Sequence, residues 1–176
     1  MKAVWGAEPI SSGQVERWWT MPYLTRVKEY LDKNGVKYEQ FKHRQAFTAQ
    51  GVAQEQHVSG KLVAKVVVVK VGGRHALAVL PAHCKVDLQK VREVTGVTEA
   101  TLASEEEFSR LFPDCELGAM PPFGNLYNLP TYVDVTLERD EEIFFQAGTH
   151  VDTVKMKYAD FSRLVQPKVA DFALHA

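Results

Sequence analysis

The spacing of hydrophobic positions changes several times along this chain, and each change marks an element. From Pro22 onward Leu24, Val27 and Leu31, with Tyr23 and Tyr30, recur at helical intervals, and Asn34-Gly35 supplies the stop. Val36 to Phe41 alternates and predicts a short strand. Thr48 caps a second helix running to about His57, with Val52 and Ala53 inward. Residues 60–81, GKLVAKVVVVKVGGRHALAVLP, then hold the longest apolar run. Gly72-Gly73 interrupts that run, and paired glycines tolerate the positive φ of a tight turn, so two antiparallel strands joined there are predicted.

After the hairpin, Leu88, Val91 and Arg92 give a third helix from Val86-Asp87 to Val94, ended near Gly96. Ser104 caps a fourth, with Glu105 to Glu107 in its first turn and Phe108, Leu111 and Phe112 on its buried side. The stretch LGAMPPFGNLYNLP is too rich in Gly and Pro for a helix or a central strand. Strands are predicted at Thr131 to Leu137, Ile143 to Gln146 and Val151 to Lys157, and a short helix at Ala159 to Val165. This order predicts an α/β or α+β protein with a largely antiparallel mixed sheet flanked by helices. Residues 1–22 read as an N-terminal arm, with Trp18 and Trp19 able to dock it, and residues 23–176 as one domain.

With 176 residues, 45% hydrophobic and 24% charged, the composition is that of a globular protein with a sizeable core. No run reaches the ~18 apolar residues of a membrane helix and no signal-peptide pattern opens the chain, so a cytoplasmic protein without a membrane partner is expected. Cys84 and Cys115 are then read as reduced thiols. Net charge is −1, but it is segregated. Between His57 and Arg92 seven cations face Asp87 alone, a net of +6, whereas Glu99 to Glu116 carries −5. A basic run of this kind can meet a polyanion.

Two stretches carry candidate chemistry. Side chains alternate along a strand, so Lys65 shares a face with Val67, Val69 and Val71, and Lys70 lies on the other face beside the turn, where it reads as a solvated strand end. An ammonium at the entry of an apolar face meets a partner, opens into a cleft, or snorkels to solvent. The loop Gly118 to Gly124 is stiffened by Pro121 and Pro122. It is either a plain connecting turn or a set of main-chain N–H groups, those of Ala119, Met120, Phe123 and Gly124, turned toward an oxyanion or a sugar hydroxyl. Cys84 beside His83 suggests a dyad, although sequence neighbours usually point apart. Histidines 43, 57, 75, 83, 150 and 175 show no metal-ligand spacing, so no metal or other cofactor is predicted. Asp134 and Asp152 read as solvated acids rather than acid/base groups, and no phosphate-cradling Gly-rich motif is present.

His43, Thr48, the strand AKVVVVK, Pro81-Ala82, GAMPPFG, AGTH at 147–150 and YADF at 158–161 together resemble the YbaK/prolyl-tRNA synthetase-associated domain family, over residues 23 to 170. The resemblance implies a barrel-like mixed sheet flanked by helices and hydrolysis of mischarged aminoacyl-tRNA. It places Lys65 at the family's functional lysine, Gly118 to Pro122 at its G-x-x-x-P loop around the terminal adenosine, and Gly124 at the glycine closing that loop. His43, Thr48 and His150 fall near the implied pocket. Some relatives carry Ser or His in the loop where this chain has Met120 and Pro121, which leaves the amino acid open among Ala, Ser, Thr, Pro and Cys. The implied partners are the acceptor end of mischarged tRNA and an aminoacyl-tRNA synthetase.

Ester hydrolysis needs an oriented carbonyl, a water and a stabilised oxyanion, which a lysine and rigid main-chain amides can supply without a dedicated nucleophile. Two alternatives stand beside the deacylase: a non-catalytic tRNA- or synthetase-binding module of the same fold, and a thiol hydrolase acting through Cys84.

Overall fold

A computed structural model describes residues 23–42 and 63–175. The predicted N-terminal arm and the helix at Thr48 to His57 lie outside these residues. Helix α1, Tyr23–Lys33, buries Val27 and Leu31 and ends where Gly35 takes φ +66°. Strand β1, Tyr38–Lys42, follows. The hairpin is β2, Ala64–Val71, and β3, Arg74–Pro81, joined through Gly72 (φ +57°) and Gly73 (φ +80°) as predicted. Its register pairs Lys65 with Leu80 and Lys70 with His75.

Beyond it come β4, Cys84–Val86; α2, Leu88–Thr95; β5, Ala100–Leu102; and α3, Glu105–Leu111. Asp87 caps α2 through the N–H groups of Gln89 and Lys90, and Ser104 with Glu107 forms a capping box on α3. The Gly/Pro-rich loop contains one 3₁₀ turn, Gly124–Tyr127. Then follow β6, Thr131–Asp134; α4, Val135–Glu138; β7, Glu142–Gln146; β8, Asp152–Lys157; α5, Tyr158–Val165; β9, Lys168–Ala170; and β10, Ala173–His175. The strand predicted from Thr131 to Leu137 therefore stops early. The Asp134 carboxylate accepts the N–H of Thr136 and starts a helical turn instead. Val86, expected to open a helix, closes β4. Strands β4, β5, β9 and β10 are three residues each, too short for a period to register.

The sheets are mixed, as expected. Five strands run in the order β5-β2-β3-β6-β9, antiparallel around β2 and parallel at β3–β6 and β6–β9. Strands β1-β8-β7 form an antiparallel sheet, coupled to the larger one by a bridge between Val63 and Phe144, and β10 pairs with β4. The two faces of the β2–β3 hairpin pack differently. Val69, Ala76, Ala78 and Leu80 join Cys84, Val91 and Phe172 on one side. On the other, Val68 and Leu77 meet Phe108, Phe112 and Met120, while Ala64 and Val79 join Val27, Leu31, Phe123, Phe145 and Phe161. Among the described residues no helix is long and apolar enough to cross a membrane.

Candidate active site

Lys65 is the second residue of β2 and shares the face of Val67 and Val69. It is half-buried there, and burial lowers its pKa; the Cys84 thiol beside it works against that shift and Lys85 adds to it. Val79 pairs with Val133, so Asp134, the next residue of β6, stands at the same end of the sheet. Asp134 is 1% exposed and accepts from the backbone N–H groups of Thr136, Phe172 and Ala173 and from the Thr136 hydroxyl. Burial pulls its pKa up, but these hydrogen bonds outweigh burial and hold the carboxyl below its ordinary value. Asp134 is thus a buried anion that ties the last strand to the sheet. Asp152 is buried as well, with Oδ2 accepting from Thr149 Oγ1 at 2.6 Å. The solvated reading of both acids is overturned, because short strands here lie inside the packing of their neighbours.

Cys84 is fully buried, and burial followed by the Asp134 charge pushes its thiol up, with Lys65 opposing. A thiol held protonated is a poor nucleophile, which weighs against the thiol hydrolase. Lys70, expected to be solvated, binds Glu107 at 2.8 Å, and His75 Nε2 lies 3.4 Å from the same carboxylate oxygen. One cation of the basic run thus meets one acid of the acidic run, and Lys90 is paired with Asp171, outside that acidic run, at 2.9 Å.

The loop at 118–124 is laced to the segment after β7. Glu116 N–H donates to Gly148 O, and Gly148 N–H donates to Ala119 O, both at 2.8 Å. His150 N–H donates to Glu116 Oε2 at 2.7 Å. His150 is 4% exposed, and its Nε2 lies 2.8 Å from Leu117 O. A carbonyl only accepts, so Nε2 carries the proton, and Nδ1 faces the Gln146 amide at 3.4 Å. His150 therefore holds the loop's base in place. Gly118, at φ +83°, turns the chain there, with the His150 ring 3.9 Å from where a Cβ would stand. Ala119, expected to offer a free N–H, donates it to Glu116 O at 3.0 Å; the turn itself consumes that donor. Met120, Phe123 and Gly124 donate no backbone hydrogen bond to any described residue.

The loop is buried from Ala119 to Gly124. Met120 packs with Val68 and Leu77, and Phe123 is edge-on to Tyr30, Phe145 and Phe161, so both side chains belong to the core. A Cβ on Gly124 would stand 2.2 Å from Thr131 Oγ1 and 2.6 Å from Leu129 O, so only glycine fits. Pro122 is buried within the same turn.

Of the predicted site residues, the structure brings together Gly118, Ala119 and His150, and seats Met120, Phe123 and Gly124 beneath the sheet. Lys65 lies on the opposite face of β2, beside Cys84, at the strand's beginning. His43 and Thr48 lie outside the described residues. Sequence reasoning misses Glu116, which lies 34 residues from His150, and also Gln146, which is only four residues away but sits at the end of β7, where strand alternation gives no sign of a histidine partner.

Fold and site together define a mixed α/β domain with a rigid Gly/Pro loop locked against a neighbouring sheet. The aminoacyl-tRNA editing domain family matches residues 43–164, which include Lys65, the loop and His150. Over 152 residues the chain is 32% identical to the multifunctional Ser/Thr-tRNA deacylase ProXp-y of Escherichia coli strain K12, covering 84% of this chain and 90% of that one. A solved structure described as a candidate trans-editing enzyme for prolyl tRNA synthetase superposes with TM-score 0.76 at 24% identity, over 88% of this chain and 98% of that chain. A hypothetical protein of known structure does so with TM-score 0.77 at 19% identity, over 85% and 99%. The chain belongs to the aminoacyl-tRNA editing domain family, as its motifs implied.

Proposed function

We propose that this protein is an aminoacyl-tRNA deacylase acting in trans, hydrolysing the ester of tRNA mischarged with a small amino acid. The observation that carries the reading is the loop at 118–124, held rigid by hydrogen bonds to 147–150, in a chain that aligns along most of its length with a Ser/Thr-tRNA deacylase. Residues 23–176 form the editing domain in this reading, working in the cytoplasm on the tRNA acceptor end, with a synthetase as the source of the mischarged product.

The main-chain N–H groups of Met120, Phe123 and Gly124 are the remaining donors for the oxyanion, now that Ala119 is spent. Gly118 and Pro122 fix the loop's path, and His150 positions it through Leu117. Lys65, half-buried at the start of β2, orients the ester or the adjacent phosphate by reaching round the end of the sheet. His43 and Thr48, which the resemblance sets near the pocket, lie outside the described residues and are candidates for substitution in the deacylation assay. Seryl and threonyl esters are the first substrates to test, given the relative's activity. One methyl separates them, worth only ~1–3 kcal/mol in an apolar pocket, so cross-reaction is expected.

The test is a panel of tRNAs charged with Ala, Ser, Thr, Pro or Cys. At least one ester should be lost faster than in buffer. If every ester survives while tRNA still binds, the protein is the non-catalytic binding module instead.

A further inference from the structure

Strands β4 and β10 pair so that His175 stands directly opposite Cys84, and directly opposed residues project from the same face of a ladder. The pairing joins positions 91 residues apart, with Cys84 Sγ 3.8 Å from His175 Nδ1. His83 completes the group. Its ring centroid lies 5.4 Å from that of His175 at an interplanar angle of 32°. One ligand atom from each of the three lies within 4.8 Å of the other two.

We propose that His83, Cys84 and His175 form a site for a zinc-class transition metal ion, with one sulfur and two nitrogen donors and water in the fourth position. Bond lengths of ~2.0–2.1 Å to nitrogen and ~2.3 Å to sulfur put tetrahedral ligand atoms about 3.3–3.6 Å apart. The Cys84–His175 pair, at 3.8 Å, stands within about 0.3 Å of the sulfur–nitrogen value. The remaining closure, about 1 Å, falls to rotation of the His83 and His175 rings, which are half-exposed and exposed. Cys84 is fixed in the core and supplies the anchor. His83 Nδ1 is buried and has no hydrogen-bond partner among the described residues, so a donor atom is ready without breaking a bond.

The donor set selects the metal class. One thiolate with two imidazoles suits zinc, cobalt or copper, and excludes calcium and magnesium, which take oxygen ligands. On coordination the Cys84 S–H proton leaves to solvent and both imidazoles bind neutral. Two charges flank the site with opposite signs: Lys65 opposes a cation and the buried Asp134 carboxylate favours one. Histidine spacing along the chain predicts no metal, because β4–β10 pairing is what brings the third ligand in.

The experiment is titration of the full-length protein with Co²⁺, followed by absorption. The expected result is one ion per chain, a thiolate-to-cobalt charge-transfer band in the near ultraviolet, tetrahedral d–d bands, and displacement by Zn²⁺. Cys84→Ser should remove the charge-transfer band and Cys115→Ser should keep it. His175→Gln, at an exposed position, should weaken binding by at least about tenfold. That variant decides the matter even if Cys84→Ser fails to fold. No thiolate band with the wild type, a band that survives Cys84→Ser, or His175→Gln binding as tightly as wild type overturns the site.

Discussion

The two ends of strand β2 treat charge in opposite ways. At the Lys65 end, an ammonium, a thiol and the Asp134 carboxylate are held in or near the interior, and Asp134 is kept ionised by three backbone N–H groups and a hydroxyl. At the Lys70 end, Lys70, His75 and Glu107 meet at the surface, and their ion pairing is screened by water. Five residues separate the lysines, and the strand's alternation points them to opposite faces. What differs is solvation. The interior Asp134 carboxylate is matched atom by atom, whereas a surface pair contributes little and tolerates change.

The largest test of that contrast is kinetic. Lys65→Ala should slow single-turnover deacylation of a saturated complex by about a hundredfold to a thousandfold, the usual loss when a positioned group is removed from an oxyanion-forming site. Lys70→Ala should stay within about threefold of wild type, since Lys70 lies on the other face of the strand and its partner Glu107 is a screened surface group. Circular dichroism supplies the folding control. Equal losses in both variants erase the contrast, and no loss in either makes Lys65 a snorkelling strand residue.

Stability gives the second test. Asp134→Ala strands the N–H groups of Phe172 and Ala173 and uncaps α4, and should cost about 3 kcal/mol in urea unfolding, because hydrogen bonds to a charged acceptor are worth ~1.5–3 kcal/mol each. A cost under ~1 kcal/mol would mean that water replaces the carboxylate, and that this end is no more interior than the other.

Thiol chemistry probes the same interior more gently. Burial pushes Cys115 up to about 12, and burial with the Asp134 charge raises Cys84. Both should react with a disulfide reagent at neutral pH at least about tenfold more slowly in the native protein than in denaturant. A fast native Cys84 would revive the thiol hydrolase.

The smallest effect belongs to the surface end. Glu107 is held at about 2 by Lys70 first, then by Ser104 N–H, against an ordinary value of 4.5. A depressed carboxyl stabilises the fold above its unfolded pKa and loses that contribution as pH falls through the folded one. The gap in unfolding midpoint between wild type and Glu107→Gln should therefore be full above pH 4.5 and fade as pH falls toward about 2. A gap unchanged with pH would mean that the Glu107 charge contributes nothing to stability.

Much of this protein is legible in its sequence because the signals are local. Gly72-Gly73 sets the hairpin, Ser104 with Glu107 sets the start of α3, and alternation assigns Lys65 and Lys70 to opposite faces. The ordered motifs from AKVVVVK to AGTH point to the editing family, since a family's loop and strand residues are read in chain order. Tertiary structure decided the rest. Asp134 looked like a solvated strand residue until Phe172 and Ala173 arrived to donate to it. His150 became a loop support only through Glu116 and Leu117, and Ala119 lost its free N–H to the turn that shapes the loop. Cys84 met His175 only because two three-residue strands pair. The physical reason is common to all four. Periodicity and caps depend on neighbours within one turn or one strand, whereas the state of a buried polar group is fixed by partners that only chain packing supplies.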